Sequence, residues 1–230
     1  METAESIMHV CGYCQRSFAR SASLDVHVCE QKRRHSERDE AGVRIGFNAW
    51  LRFYEITQGS SRLRTWDEFT KSSYYKAFVK FGRYCVNTRV INPQQFLEWL
   101  LQHNKKIDRW ASDQVYTEYL VQYLVVENVS DALARAMEFG IDWATQHIAP
   151  AHDCLRFGSV SAMCQALVCG RISPWVIYNC ESGQKFLHQL SSEQIAMIWP
   201  YIDSDRWQKR FADYPADQEY ARDILKKAGW

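Results

Sequence analysis

The sequence predicts a mainly α-helical protein with one very small sheet confined to its N-terminus. Three observations predict it. From about residue 43 onward apolar residues recur three and four apart, as in Phe47, Trp50, Leu51 and Tyr54, and again in Leu133, Ala136, Met137, Gly140, Ile141, Ala144 and Ile148. That is the period of a helix with one buried face. Beyond the first few dozen residues no run alternates apolar and polar side chains as a half-buried strand would. The short polar segment from Cys11 to Cys29, CGYCQRSFARSASLDVHVC, carries metal-ligating side chains where a core would otherwise be needed.

Taken in order, residues 1–8 read as a tail, 9–35 as a small metal-stapled unit and 36–45 as a charged helical linker. Residues 46–230 read as one all-helical domain. Within it, QGSSRLR at 58–64 is a loop, and Thr65-Trp66-Asp67-Glu68 has the form of a capping box that opens a helix. Ser72-Ser73 precede YYKAFVKFGRYC, whose Tyr74, Phe78, Phe81 and Cys85 share a core-facing stripe and leave Tyr75, Lys76 and Lys80 free to face outward. Asn92-Pro93-Gln94-Gln95 combines a cap residue, Pro at the first helical position and Gln three after the cap, for a helix ending near Asn104. The next runs from Asp113 to Val126. Ser130 caps another, which Pro150 stops. SVSAMCQALVCG is a short buried helix ending at Gly170, and Ser173-Pro174 and Ser191-Ser192-Glu193-Gln194 open two more. DSDRWQKRF and ADQEYARDILKKAG complete an irregular bundle of short helices.

The chain has 230 residues, with 28 Lys and Arg against 27 Asp and Glu, so it does not coat nucleic acid by bulk charge and any such contact is local. Its start, METAESIM, lacks a basic and then apolar leader, and no apolar run approaches the ~20 residues that span a bilayer. We therefore expect a cytoplasmic protein that is not membrane-bound. Cys85, Cys154, Cys164, Cys169 and Cys180 lie among apolar residues and read as free core thiols.

Cys11 and Cys14 stand at the spacing at which a knuckle turns two thiolates onto one ion, and His27 and Cys29 follow, with Phe18 and Leu24 as a miniature core. The order Cys-x2-Cys, Phe, Leu, His is similar to that of C2H2 zinc fingers, in a CCHC variant. The resemblance implies a ββα unit around Zn2+ held by Cys11, Cys14, His27 and Cys29. A second His after three to five residues is missing, since Gln31, Lys32 and Arg33 stand there. Cys29 is the favoured fourth ligand, with His35 and His9 as alternatives. Because positions i and i+2 of a helix point apart, Cys29 requires the helix to unwind near residue 28. The phrases HVCEQKRRH at 27–35, SSYYKAFVKFG at 72–82 and ISPWVIYN at 172–179, together with this segment, resemble uncharacterised zinc-finger proteins of large tailed, myovirus-type bacteriophages. That resemblance implies a protein acting in bacterial host cytoplasm.

In C2H2 fingers bases are read from helix positions −1, 3 and 6, which fall here on Arg20, Ser23 and Val26. Arg20 suits guanine, and one such contact discriminates by about 1–3 kcal/mol, far short of a specific site. Arg16 and Ser23 complete the expected finger contacts, and Lys32, Arg33 and Arg34 are placed to grip phosphate just beyond it. These features point to a zinc-dependent DNA-binding accessory protein whose helical body docks on a phage or host protein complex for transcription, replication or packaging. The competing expectation is a protein–protein adaptor with the finger as its docking element. Nothing suggests an enzyme or a small-molecule substrate. Asp108, Asp113 and Asp142 are scattered, His147, His152 and Cys154 read as helix-end histidines and a buried thiol, and Trp175, Ile177 and Tyr178 read as core.

Overall fold

The computed structural model of the chain describes residues 8–59 and 62–230. The tail expected over 1–8 lies outside them except for Met8. The described residues are mainly helical, with one tiny two-stranded sheet at the N-terminus. They fall into two compact units, the first ending at Ala111 and the second running from Ser112 to Trp230. Residues 46–230, expected as one domain, are thus divided after Ala111.

The first unit opens with β1 (His9–Val10) and β2 (Ser17–Phe18), antiparallel with His9 opposite Phe18. Helices α1 (Ser21–Asp25), α2 (Glu30–Ser36), α3 (Ala41–Gln58), α4 (Trp66–Lys71), α5 (Tyr75–Thr88) and α6 (Pro93–Gln102) follow. Residues 36–45, expected as a helical linker, are instead the end of α2, a turn over 37–40 and the first turn of α3, in which Val43 is fully buried. Both halves of the Thr65/Glu68 capping box are made, Thr65 N donating to Glu68 Oε2 at 2.7 Å and Glu68 N to Thr65 Oγ1 at 3.3 Å. Asn92 caps α6 by accepting from Gln95 N at 3.1 Å, with Pro93 at the first helical position.

Helices α3 and α5 pack along their lengths because three glycines let their backbones meet. A Cβ built on Gly82 would overlap the Gly42 carbonyl oxygen and stand 2.5 Å from Gly46 N. Around that crossing Trp50, Phe69, Phe78, Phe81 and Trp110 are buried ring against ring. Tyr74, expected on the core stripe, is exposed instead, because it is the residue from which α5 starts rather than part of its buried face.

The second unit contains α7 (Asp113–Val126), α8 (Val129–His147), α9 (Cys154–Phe157), α10 (Val160–Val168), α11 (Pro174–Asn179), α12 (Glu181–His188), α13 (Ser192–Ile202), α14 (Ser204–Asp213) and α15 (Pro215–Lys227). Asn128, not Ser130, caps α8. Its Oδ1 accepts from Ser130 N at 2.8 Å, so the helix begins two residues early. Trp175 and Trp207 meet edge to face at 5.7 Å in the core, and the Trp207 indole donates to the Tyr201 carbonyl at 2.8 Å. Cys154, Cys164 and Cys180 are buried free thiols, as is Cys85 in the first unit, whereas Cys169 is only half-buried. Buried Glu127 accepts from Arg135 at 2.9 Å and from Ser173 Oγ at 3.1 Å. Among the described residues no helix is long and apolar enough to cross a membrane.

Candidate metal centre

The knuckle CGYCQ reverses the chain with Gln15 in the left-handed region at φ 60°, Cys11 N donating to the Arg16 carbonyl and Gln15 N to the Cys11 carbonyl, both at 2.9 Å. Cys11 and Cys14 thereby face one point. After β2, helix α1 stops at Asp25 and α2 starts only at Glu30, so residues 26–29 leave the helix. This break turns His27 and Cys29 inward together, as the two-residue spacing requires.

Cys11, Cys14, His27 and Cys29 then each offer one ligand atom, all within 4.8 Å of one another. The Cys11 and Cys29 sulfurs are 3.6 Å apart, and the Cys14 sulfur is 3.3 Å from His27 Nε2. A tetrahedral site with metal–sulfur bonds of about 2.3 Å separates its sulfurs by roughly 3.8 Å, so the donor set fits one ion. The group could hold a metal ion. Phe18 packs its ring on His27 at a centroid distance of 4.9 Å, holding the imidazole from behind.

The thiols are electrostatically unequal. The N–H groups of Cys14 and Tyr13 point at the Cys11 sulfur and bring its pKa down to about 7. At Cys14 the Arg16 N–H pulls the same way, but burial and the neighbouring Cys11 and Cys29 sulfurs outweigh it and raise the pKa. Cys29 has a further role as the N-cap of α2, its sulfur accepting from Lys32 N at 3.4 Å. One residue therefore both belongs to the cluster and starts the helix that leaves it.

Neither alternative ligand joins the cluster. His9 lies in β1 opposite Phe18. His35 faces the other way, with Nε2 3.4 Å from Thr70 Oγ1 and 3.6 Å from Asp67 Oδ1, and its ring meets Trp66 edge-on and Tyr13 at 5.4 Å.

The expected nucleic-acid contacts divide. Arg20, Ser23 and Lys32 are exposed, and Arg16, also exposed, lies over the Phe18 ring. Arg33 is exposed but paired with Glu30 at 2.7 Å. Arg34 is not available to phosphate. Its side chain is only 12% exposed, it donates to the Thr70 carbonyl at 2.6 Å and to Glu30 at 3.1 Å, and its guanidinium covers the Tyr75 ring at 4.4 Å. Consecutive positions on a helix point about 100° apart, so Lys32 and Arg34 cannot share a direction. The run of three cations gave no sign of which one turns inward. Lys76 and Lys80 are exposed as expected, while Tyr75 is buried. Outside the cluster, His147 caps its own helix by contact with the Trp143 carbonyl at 2.8 Å and stacks on the Trp143 ring. Trp175 and Ile177 are fully buried and Tyr178 partly so.

No protein-family model matches this chain, and neither the curated proteins nor the solved structures contain a match to it.

Proposed function

We propose that the protein is a non-enzymatic, zinc-dependent nucleic-acid-binding accessory protein in which a CCHC-type ββα finger presents Arg16, Arg20 and Lys32 to DNA. The observation that carries this reading is the convergence of Cys11, Cys14, His27 and Cys29 beside three exposed cations. Three thiolates and one imidazole are a zinc donor set, and binding energy of about 10–16 kcal/mol is enough to order so small a unit. The finger takes Arg20 to the base edges and Lys32 to phosphate, while the helical body docks on a phage or host assembly in the bacterial cytoplasm. A single finger reads about 3 bp, so sequence specificity comes from that assembly.

The test is anisotropy of labelled DNA against zinc-loaded and chelated protein across a salt series. Zinc-dependent binding that weakens with salt and is lost in an Arg16→Glu, Arg20→Glu, Lys32→Glu variant is expected. Unchanged binding by that variant sinks the reading.

A second reading, a protein–protein adaptor, is favoured by Val26 and Val28, which flank His27 and are 78% and 94% exposed. Two bare valines beside a ligand are unusual for a DNA-facing surface. This reading expects a protein complex that survives nuclease and high salt.

A further inference from the structure

Helices α2 and α5 enclose a groove of about 450 Å³ whose charges are unevenly compensated. On the α2 side, Arg33 is held by Glu30 at 2.7 Å. At the far end, Arg83 is held by both oxygens of Glu40 at 2.7 Å and lies 3.5 Å from Glu37, which also meets the Tyr75 hydroxyl at 3.5 Å. These carboxylates are therefore already engaged by arginines. Lys76 and Lys80 line the same groove, are exposed, and make no ion pair among the described residues. They are the uncompensated charge of the groove.

The two lysines stand four residues apart on α5, which puts their Cβ atoms about 5–6 Å apart on one face. Two compact, strongly hydrated ammoniums at that spacing suit neighbouring phosphates of one strand. Asn87, about two turns further along, is exposed, lines the groove as well and offers an amide to a base. A slot between two helices admits a single strand more readily than a duplex.

We infer that the α2–α5 groove is a second nucleic-acid contact, which takes the phosphodiester backbone of a single strand through Lys76 and Lys80. The inference rests on the nucleic-acid reading of the protein but not on the finger as its contact surface. It also replaces the phosphate grip that Arg34 cannot provide.

The test uses full-length, zinc-loaded protein and labelled oligo-dT, with a duplex and a polyglutamate peptide as comparison probes. Lys76→Glu, Lys80→Glu is compared with Lys76→Gln, Lys80→Gln. Lys226→Glu, Lys227→Glu on α15 serves as an off-site control of equal charge change, and circular dichroism checks that each variant is folded. The groove variants should weaken oligo-dT binding on the order of tenfold or more, and lower the salt slope by roughly 1–2. The control should change neither. If the groove variants bind like wild type while the Arg16, Arg20, Lys32 variant does not, the groove is excluded and the finger stands. Equal loss in the control would reduce the effect to bulk charge and overturn the inference. Polyglutamate binding as tight as oligo-dT would assign the groove to an acidic protein and overturn it too. Failure of wild type to bind any nucleic acid removes both readings together.

Discussion

The Arg34 guanidinium donates to the Thr70 carbonyl at 2.6 Å across a sequence separation of 36 residues. It ties α2, whose first cap is the cluster residue Cys29, to α4 in the helical body, while its face covers Tyr75. The N-terminal segment is thus docked on the first unit rather than strung on a tether. A charged hydrogen bond contributes about 1.5–3 kcal/mol and a partly desolvated cation–π contact about 1. Arg34→Ala should cost the first unit about 2–3 kcal/mol by chemical denaturation. Arg34→Lys should recover little, since an ammonium cannot both stack on Tyr75 and reach the carbonyl in the same geometry. A variant of wild-type stability would show that α2 is not held in this way.

Removal of the ion proposed for the cluster should be felt beyond the cluster. Without an ion to fix the Cys29 sulfur against Lys32 N, the cap of α2 weakens, and Tyr13, which lies between two cluster cysteines and packs on His35, is held less firmly. Hydrogen exchange with and without chelator should show protection falling in α2 and in the α4 face it docks on, as well as in residues 9–29. Loss confined to residues 9–29 would mean that cluster and body are uncoupled.

How much of this was legible depends on the range of the interaction. The caps at Thr65, Asn92 and Ser191 were readable because a cap bond spans three residues and its chemistry is local. Cys29 is legible as a cluster member because a thiolate is a strong zinc ligand within short reach of His27, and the helix break that this spacing requires is there at 26–29. The expectation of Ser130 as the cap of α8 fails because Asn128, two residues earlier, is an equally good cap residue and local chemistry does not choose between them. Arg34 was not readable at all. Lys32, Arg33 and Arg34 are chemically alike, and what selects Arg34 is a carbonyl at Thr70. The division after Ala111 was equally hidden, because helix periodicity reports which face is buried and not against what.

The glycine crossing gives a direct test of the α3–α5 packing. Any side chain at Gly82 must displace the Gly42 and Gly46 backbone, which cannot yield as a flexible side chain would. Gly82→Ala should destabilise by about 3 kcal/mol or more despite the better helix propensity of alanine. Gly12, in the knuckle, has nothing within 4 Å of a built Cβ. Gly12→Ala should change stability by less than about 0.5 kcal/mol. Comparable effects at the two sites would refute the close approach of α3 and α5.

Ile148 ends α8 in the left-handed region at φ 53°, with its side chain 98% exposed. A β-branched residue there pays for a conformation that glycine adopts freely, about 1–2 kcal/mol, and buries nothing in return. Ile148→Gly should therefore raise the stability of the second unit, by about 1 kcal/mol after allowing for the extra freedom of glycine in the unfolded chain. A loss of stability would mean that the isoleucine side chain has a contact that its exposure conceals.

Glu127 predicts a pH dependence with a definite sign. Burial lifts its carboxyl pKa above the ordinary value, although Arg135 and Ser173 pull the other way. The folded form therefore holds this proton more tightly than the unfolded chain, and the contribution is complete below the unfolded pKa of about 4.3. It is lost as pH rises through that value and up to the raised folded one. Glu127→Gln keeps the shape and the bond from Ser173 but cannot ionise. Urea denaturation of both forms from pH 4 to 7 should show the wild type losing stability relative to Glu127→Gln as pH rises. A difference that stays constant, or grows in favour of the wild type, would mean that Arg135 outweighs the burial and holds Glu127 as a fully ionised partner.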